Sequence, residues 1–164
     1  MQKIFYISGD NPLVMKYLVF LFFLVSPLLS AQQSANLEVQ RAIELFFEGF
    51  HEKDSVKMKS HSGETVIMQT IGITGEGAPA VRNGNFGDFL KAICSIPDSV
   101  AFREVIKSYE IRTDGPMAQA WTPYEFLRNG QFSHCGVNAF QLVKLQGEWK
   151  IIYIIDTRRK NNCP

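Results

Sequence analysis

The sequence has few of the residues from which metal, redox or nucleophilic sites are usually built. Its histidines and cysteines number three each and lie far apart: His51, His61 and His134, and Cys94, Cys135 and Cys163. None of them has the spacing of a zinc site or of a C-x-x-C redox motif. The glycines of segment 72–79 lack the G-x-G-x-x-G spacing of a nucleotide-binding loop. We therefore expect no metal site and no cofactor.

The charge of the chain is also unremarkable in distribution, with no long run of either sign. Residues 1–31 contain Lys3, Lys16 and Asp10, so the 17 basic and 16 acidic residues of the chain become 15 of each beyond residue 31. A domain without net charge has no basic surface for a polyanion. We therefore expect no nucleic-acid partner.

The N-terminus has the pattern of a secretory signal peptide. Lys16 precedes a largely apolar run over residues 17–29, and small residues follow up to Ala31. That run is short for a bilayer span, which takes about 20 residues. We predict a signal peptide over residues 1–31 and one exported domain over 32–164, periplasmic or secreted, with no stable membrane anchor after cleavage.

Two alternatives remain open at this end of the chain. The apolar run could act as a single membrane anchor, although it is short and contains Pro27. Met15 could be the true start, since the residues after it open as signal peptides do.

The three cysteines allow one disulfide and leave one thiol free or paired between chains. Cys135 lies inside a strand pattern and is most simply a small buried apolar residue. Cys163 is next to the last residue of the sequence. The spacings do not choose a pair.

The first half of the domain has a helical pattern. Apolar residues three or four apart, Val39, Ile43, Phe46 and Phe50, predict an amphipathic helix of about 18 residues. A second, short helix capped by Asp54 or Ser55 follows through His61. A strand is predicted over 64–73, and a glycine-rich loop runs on to Asn85, which caps a third helix.

The second half changes to alternation of apolar and polar residues. It predicts one half-buried strand from Arg103 to the turn at 114–116, and then strands over 117–127, 132–145 and 149–157. Asn129-Gly130 is a strong hairpin signal. Pro123 cannot donate to a ladder, so it marks an edge or a bulge.

These patterns together predict one α+β domain. We expect about three helices on the concave face of a strongly bent antiparallel sheet of four to six strands. Phe46, Phe140, Trp149 and Ile151 should be buried between the helices and the sheet. Polar residues set among aromatics in the last third indicate a pocket.

Four segments carry a resemblance to a known superfamily. They are VQRAIELFFEGFHEKD, FGDFLKAI, GQFSHCGVNAFQLVKLQGEWKI and the terminal IDTRR. They resemble the nuclear transport factor 2-like superfamily, in its SnoaL-like and lumazine-binding-like branch of exported bacterial proteins. The resemblance implies a cone-shaped curved sheet with helices packed on it and a pocket at the open end. It implies no single activity, because one fold carries many functions.

Candidate pocket residues lie on the two neighbouring predicted strands over 117–127 and 132–145. His134 and Asn138 share the parity of Phe140, which needs burial, so we expect both to point into the cone. His134 is either a hydrogen-bonded core histidine or a general base. Tyr124 is either a core aromatic or a hydroxyl donor for a developing oxyanion. Trp121 is a further ligand-binding candidate on the opposite face.

The last strand ends in two charged residues. Asp156 and Arg158 either pair at the strand end or line the rim of the pocket, and parity places them with Ile152 and Ile154. The resemblance implies that His61 stands near the mouth of the cone, whereas the plain alternative is an exposed or capping histidine.

Two functions of different classes follow. The first is a binding domain for a small apolar or aromatic ligand, with self-association as a homodimer as a further role. The second is a cofactor-independent lyase or isomerase with His134 or Asp156 as general base and Tyr124 as electrophile. Convergence of His134, Asp156 and Tyr124 on one cavity would favour the enzyme.

Overall fold

The computed structural model describes residues 33–164, of which 35–164 form one compact unit. The predicted signal peptide, its cleavage near Ala31 and the alternative start at Met15 lie outside the described residues. No helix within 33–164 is long and apolar enough to cross a membrane.

The unit is α+β, with three helices and seven strands. The helices are α1 over 33–52, α2 (Ser55–Ser60) and α3 (Phe86–Cys94). The strands are β1 (Ser62–Ile73), β2 (Pro79–Asn85), β3 (Phe102–Ile106), β4 (Glu110–Asp114), β5 (Met117–Arg128), β6 (Gln131–Leu145) and β7 (Glu148–Thr157).

The helix boundaries follow from their caps, as the sequence predicts. The Asp54 side chain accepts hydrogen bonds from the amides of Val56 and Lys57 at the start of α2. Asn85 accepts from the amide of Asp88 at the start of α3. Both predicted helix starts are confirmed.

The sheet is mixed rather than antiparallel, and its order is β2-β1-β7-β6-β5-β3, with β4 also paired to β5. β1 runs parallel to β7, and every other pair is antiparallel. The predicted α+β fold with about three helices on a curved sheet is confirmed, but the sheet has seven strands rather than four to six and one of its pairs is parallel. Alternation along a strand reports its two faces and carries no information about a neighbour distant in sequence.

β2 occupies the segment that we predicted as loop. It pairs with β1 as an antiparallel edge strand, with Val81 opposite Ile71. Its side chains are almost all exposed, and it contains Arg82, Asn83 and Gly84. An edge strand with no buried face leaves no alternating apolar signal in the sequence.

The single strand predicted from Arg103 is two strands separated by a bulge. Ile106 lies opposite Tyr124, and Glu110 lies opposite Trp121. The four residue steps from Ile106 to Glu110 thus match only three steps along β5. The inward-facing residues are therefore even-numbered in β3 and odd-numbered in β4. Pro123 lies beside this irregularity, where its carbonyl accepts from the amide of Lys107. Of the two alternatives for Pro123, the structure has the bulge.

A second irregularity lies in β7. Tyr153 is opposite Gln141, but Ile151 is opposite Leu142, so Ile152 has no partner of its own and is 37% exposed. The prediction that Asp156 and Ile152 lie on the same face of the sheet is therefore wrong. Because of the extra residue, Ile151 and Asp156 face the same side of the sheet.

The core lies between α1 and the face of the sheet that α1 covers, which we call the inner face. The four predicted core residues, Phe46, Phe140, Trp149 and Ile151, are between 0 and 5% exposed and are confirmed. Phe47 of α1 meets Phe140 of β6 edge to face. Burying aromatic and aliphatic area on this face is the main favourable term in folding.

A disulfide joins Cys135 of β6 to Cys163, and Cys94 is a free, exposed thiol. Cys135 is thus a bridging residue and not merely a small apolar one. Next to the disulfide, Cys135 and Arg159 exchange both backbone hydrogen bonds at 2.9 Å. The segment after β7 is therefore held against β6 by two kinds of bond.

Candidate functional site

The inner face encloses a cavity of about 80 Å³ between α1, α3 and the strands β1, β3, β6 and β7. Most of its wall is apolar and comes from Phe46, Phe47, Phe50, Met68, Phe89, Phe140 and Ile154. The polar part of the wall is formed by Gln69, Thr70, Glu104, Asn138, Asp156 and Arg158. We call the last four residues the polar cluster.

The polar cluster consists of two hydrogen-bonded pairs side by side. Asn138 donates from Nδ2 to Oε1 of Glu104 at 2.6 Å. Arg158 donates from Nε to Oδ2 of Asp156 at 2.8 Å. The two pairs adjoin because Asn138 and Asp156 are direct partners across β6 and β7. The cavity therefore has an apolar body and one polar side.

Glu104 is the titratable group that the cavity perturbs most. The residue is half-buried, and burial raises the pKa of its carboxyl group to about 7. The charge of Asp156 acts in the same direction, whereas the hydrogen bond from Asn138 opposes it. At neutral pH the carboxyl is present in both its acid and its ionised form, so it is suited to donate or accept a proton.

A hydrogen bond from the backbone of Glu104 to a side chain of α1 holds this part of β3 in place. Nε2 of His51 accepts a hydrogen bond from the amide of Glu104 at 2.9 Å. This ring must then be neutral with its proton on Nδ1. Burial, helped by the charge of Arg103, lowers the pKa of His51 and favours that neutral form. His51 was not a site candidate in the sequence, and its role is to position β3.

Three of the predicted ligand-binding residues, Asn138, Asp156 and Arg158, lie in the wall of this cavity. His134 shares the inner face but lies outside the wall. Its ring stacks on Phe126 with centroids 4.7 Å apart, and its Nδ1 is 3.2 Å from the hydroxyl of Ser133. Burial lowers the pKa of His134, and Arg158 lowers it further.

Tyr124 is a buried structural residue with 1% exposure. Its hydroxyl donates to the carbonyl of Thr157 at 3.1 Å. Burial raises its pKa, and the charge of Glu104 adds to the effect. His134, Tyr124 and Asp156 thus share one face of the sheet, but only Asp156 lines the cavity, so the three do not converge on it.

The two remaining candidates lie elsewhere. His61 forms the C-cap of α2, and its carbonyl accepts from the amide of Ile151. Burial and the charge of Lys150 lower the pKa of His61. Trp121 is on the outer face of the sheet and is 50% exposed. Neither residue lines the cavity.

Gln69, Thr70 and Glu104 line the cavity and were not candidates in the sequence, and Glu104 is the titratable one among them. A single strand from Arg103 to Asp114 places Glu104 on the polar side, with Glu110 and Arg112. The bulge between β3 and β4 reverses that assignment and turns Glu104 inward. The adjacent apolar residues Val105 and Ile106 break the alternation and are the signal that could have revealed it.

Gly136 allows the end of β7 to approach β6 closely enough to build this wall. A β-carbon at this position would lie 1.8 Å from the carbonyl oxygen of Thr157. The same carbonyl accepts the hydrogen bond from the Tyr124 hydroxyl. A side chain at position 136 would displace this carbonyl and so break the hydrogen bond. Within residues 33–164, no group of three histidine, cysteine or acidic side chains could hold a metal ion.

Comparison with known proteins gives matches in structure only. No family model matches the chain, and no curated protein sequence matches it. A nuclear transport factor 2-like protein of unknown function from Shewanella baltica matches with a TM-score of 0.56 and 13% identity, over 78% of this chain and 96% of the other. A candidate dehydratase of the same family from Streptomyces avermitilis matches with a TM-score of 0.59 and 13% identity, over 77% and 97%.

A third similar structure is the β subunit of a candidate aromatic-ring-hydroxylating dioxygenase from Novosphingobium aromaticivorans. It matches with a TM-score of 0.63 and 13% identity, over 78% of this chain and 91% of the other. At such identities the similarity concerns the fold alone. The chain has the cone-like α+β fold of nuclear transport factor 2-like proteins.

Proposed function

We propose that this chain is a small-molecule-binding domain whose cavity takes a compact aromatic or cyclic ligand. The observation that carries the proposal is the composition of the cavity wall, in which five phenylalanines surround the space and the polar cluster closes one side. A ring would pack against the phenylalanines, while one oxygen or nitrogen on it would bond to Glu104 or Asn138.

The size of the cavity limits the part of the ligand that enters it. About 80 Å³ holds a single ring, and a larger molecule would extend outwards past Arg158, which is exposed at the edge of the polar cluster. Phenol and indole are therefore the first probes, with a sterol as the test of a larger ligand.

A thermal-shift titration of residues 32–164 tests the binding function. A probe at about a hundred times its Kd should stabilise the protein by about 2.7 kcal/mol and raise Tm by on the order of 10 °C. Met68→Trp fills the cavity and should abolish the shift. Ile73→Trp, at an exposed position of the same strand, is the matched control and should leave it intact. Equal shifts in both variants, or no shift with any probe, would exclude this cavity as a ligand site.

A second candidate function is a cofactor-independent lyase or isomerase with Glu104 as the general base. The Glu104 carboxyl with its raised pKa favours it, and the candidate dehydratase from Streptomyces avermitilis shows that the fold is found in proteins assigned to such chemistry. Exchange of the α-hydrogens of cyclohexanone for deuterium, followed by NMR, should be faster with the protein than with Glu104→Gln. Equal rates would leave binding as the function.

We also propose that the domain is exported. The disulfide between Cys135 and Cys163 supports this, because such bonds persist in oxidising compartments. The narrower resemblance to the SnoaL-like and lumazine-binding-like branch is compatible with export and stays a prediction. Fractionation of producing cells, with detection of a mature chain that starts near residue 32, is the corresponding test.

A further inference from the structure

The outer face of the sheet has a second concave site, unconnected with the proposed function of the inner cavity. It is a depression of about 280 Å³ across β4, β5 and β6. Its sides are Trp121, Glu110, Arg112, Gln119 and Gln141, and its floor is formed by the strands at Ala120, Ala139 and Phe140. We call it the outer depression.

The register of the three strands explains the shape of the outer depression. Trp121 lies between Glu110 and Ala139 in one cross-strand row. Because Ala139 is small, one side of the indole is left uncovered, and Trp121 remains 50% exposed. A tryptophan kept half in water on a regular sheet costs hydrophobic free energy, which a bound apolar surface would recover.

The next row supplies planar polar groups. Arg112, Gln119 and Gln141 are consecutive cross-strand partners, one pair away from the indole. All three are exposed, and so is Glu110. None of these four side chains hydrogen-bonds or ion-pairs with another side chain in the part of the chain that the structure describes, whereas Lys107, on the same edge of the sheet, is paired with Glu125.

The combination matches a particular ligand chemistry. A flat aromatic ring beside several free amide, guanidinium and carboxylate groups suits a molecule that is apolar on one face and rich in hydroxyls at its edge. A pyranose with equatorial hydroxyls has this character, since its axial C–H groups form an apolar face. Glu110 balances Arg112, so the depression has no excess charge for a phosphate, and its polar sides do not suit a lipid.

We propose that the outer depression is a carbohydrate-binding site for flat, β-1,4-linked oligosaccharides. One ring stacks on Trp121, and its hydroxyls bond to the side chains of Gln119 and Gln141 on one side and of Glu110 and Arg112 on the other. Adjacent strands are about 4.8 Å apart, so β4 to β6 spans about 10 Å, the length of a short oligosaccharide.

The test is an NMR titration of the domain with cellopentaose, xylopentaose and chitopentaose, which share the flat backbone. The chain has two tryptophans, and Trp149 is buried with its indole bonded to Glu38. The indole N–H resonance of Trp121 should therefore shift on binding while that of Trp149 stays in place.

Variants separate this site from others. Trp121→Ala should lower the affinity at least about tenfold, equivalent to 1.4 kcal/mol. The paired change Gln119→Ala with Gln141→Ala should also lower it and leaves the indole in place. Phe132→Ala removes an aromatic of similar exposure outside the depression and should bind normally. Glu104→Gln, in the inner cavity, should bind normally too.

Three outcomes would overturn the proposal. The first is that none of the three oligosaccharides binds. The second is that Trp121→Ala binds them as the unchanged protein does. The third is that the Trp121 resonance shifts with protein concentration and sedimentation shows a dimer, which would assign this face to a second copy of the chain. Each outcome leaves the inner cavity and its thermal-shift test unaffected.

Discussion

The Glu104 carboxyl group in the cavity wall makes the stability of this domain depend on pH. The pKa of Glu104 is about 7 in the folded state, whereas a glutamate in an unfolded chain titrates near 4.3. The native state therefore holds the proton more tightly than the unfolded state between these values. The stability that this group contributes is fully present below about pH 4, falls as the pH rises towards 7, and is constant above that.

Glu104→Gln should remove this fall. The difference in unfolding free energy between variant and unchanged protein should grow in favour of the variant from pH 4 to pH 8, by on the order of 3 kcal/mol. Urea unfolding at a series of pH values measures it. The lowered pKa values of His51, His61 and His134 act on both proteins alike and cancel in the difference. A difference independent of pH would mean that Glu104 is solvated.

At the scale of single elements, the segment after β7 matters because it holds the charged edge of the cavity. Arg158 forms an ion pair with Asp156, and the next residue, Arg159, forms a backbone bridge to Cys135. The disulfide from Cys135 to Cys163 closes a loop with a sequence separation of 28 residues around this segment. The segment after β7 therefore contributes both a stabilising disulfide and part of the wall of the inner cavity.

Cys163→Ser should lower the unfolding free energy by about 3–4 kcal/mol, the chain-entropy value for a loop of this length. Chemical denaturation of the variant, and of the unchanged protein with and without reductant, measures the loss. Cys94→Ser is the matched control, because that thiol is free and exposed, and it should unfold as the unchanged protein does. A Cys163→Ser variant of unaltered stability would show that the disulfide adds nothing to the stability of the fold.

How far the sequence predicts an element depends on how local its determinants are. The caps of α2 and α3 and the hairpin at Asn129 and Gly130 are set by neighbouring residues, and all three were predicted. β2 and the parallel contact of β1 with β7 depend on partners elsewhere in the chain. β6 is regular from His134 to Phe140, so parity assigned Asn138 correctly to the inner face, whereas the bulge between β3 and β4 inverts parity and hid Glu104.

At the scale of the whole unit, the strands β5 and β6 are shared by two surfaces of opposite character. Phe140 points to the inner face and fills part of the core, while its neighbours Ala139 and Gln141 point outwards. The pleat thus places the aromatic cavity and the outer depression on either side of one layer of backbone. A change that moves this layer would alter both.

Phe140→Ala should lower the unfolding free energy by about 3–5 kcal/mol, because Phe140 is 1% exposed and in ring contact with Phe47. Equilibrium unfolding in urea measures the loss. Phe132→Ala, at a position 48% exposed, should change it by less than about 0.5 kcal/mol. If Phe140→Ala cost less than about 1 kcal/mol, this residue would not be part of the core.

The position of β1 between β2 and β7 has a consequence for how the chain folds as it leaves the ribosome. Its neighbour β7 is the last of the seven described strands in chain order, so the apolar faces of β1 and α1 stay partly uncovered until β7 has been synthesised. Contacts between such distant segments close slowly, and chains that wait in this state are prone to aggregate. The sheet can therefore be completed only after β7 has been made, and a holding chaperone would act on the segments that precede it.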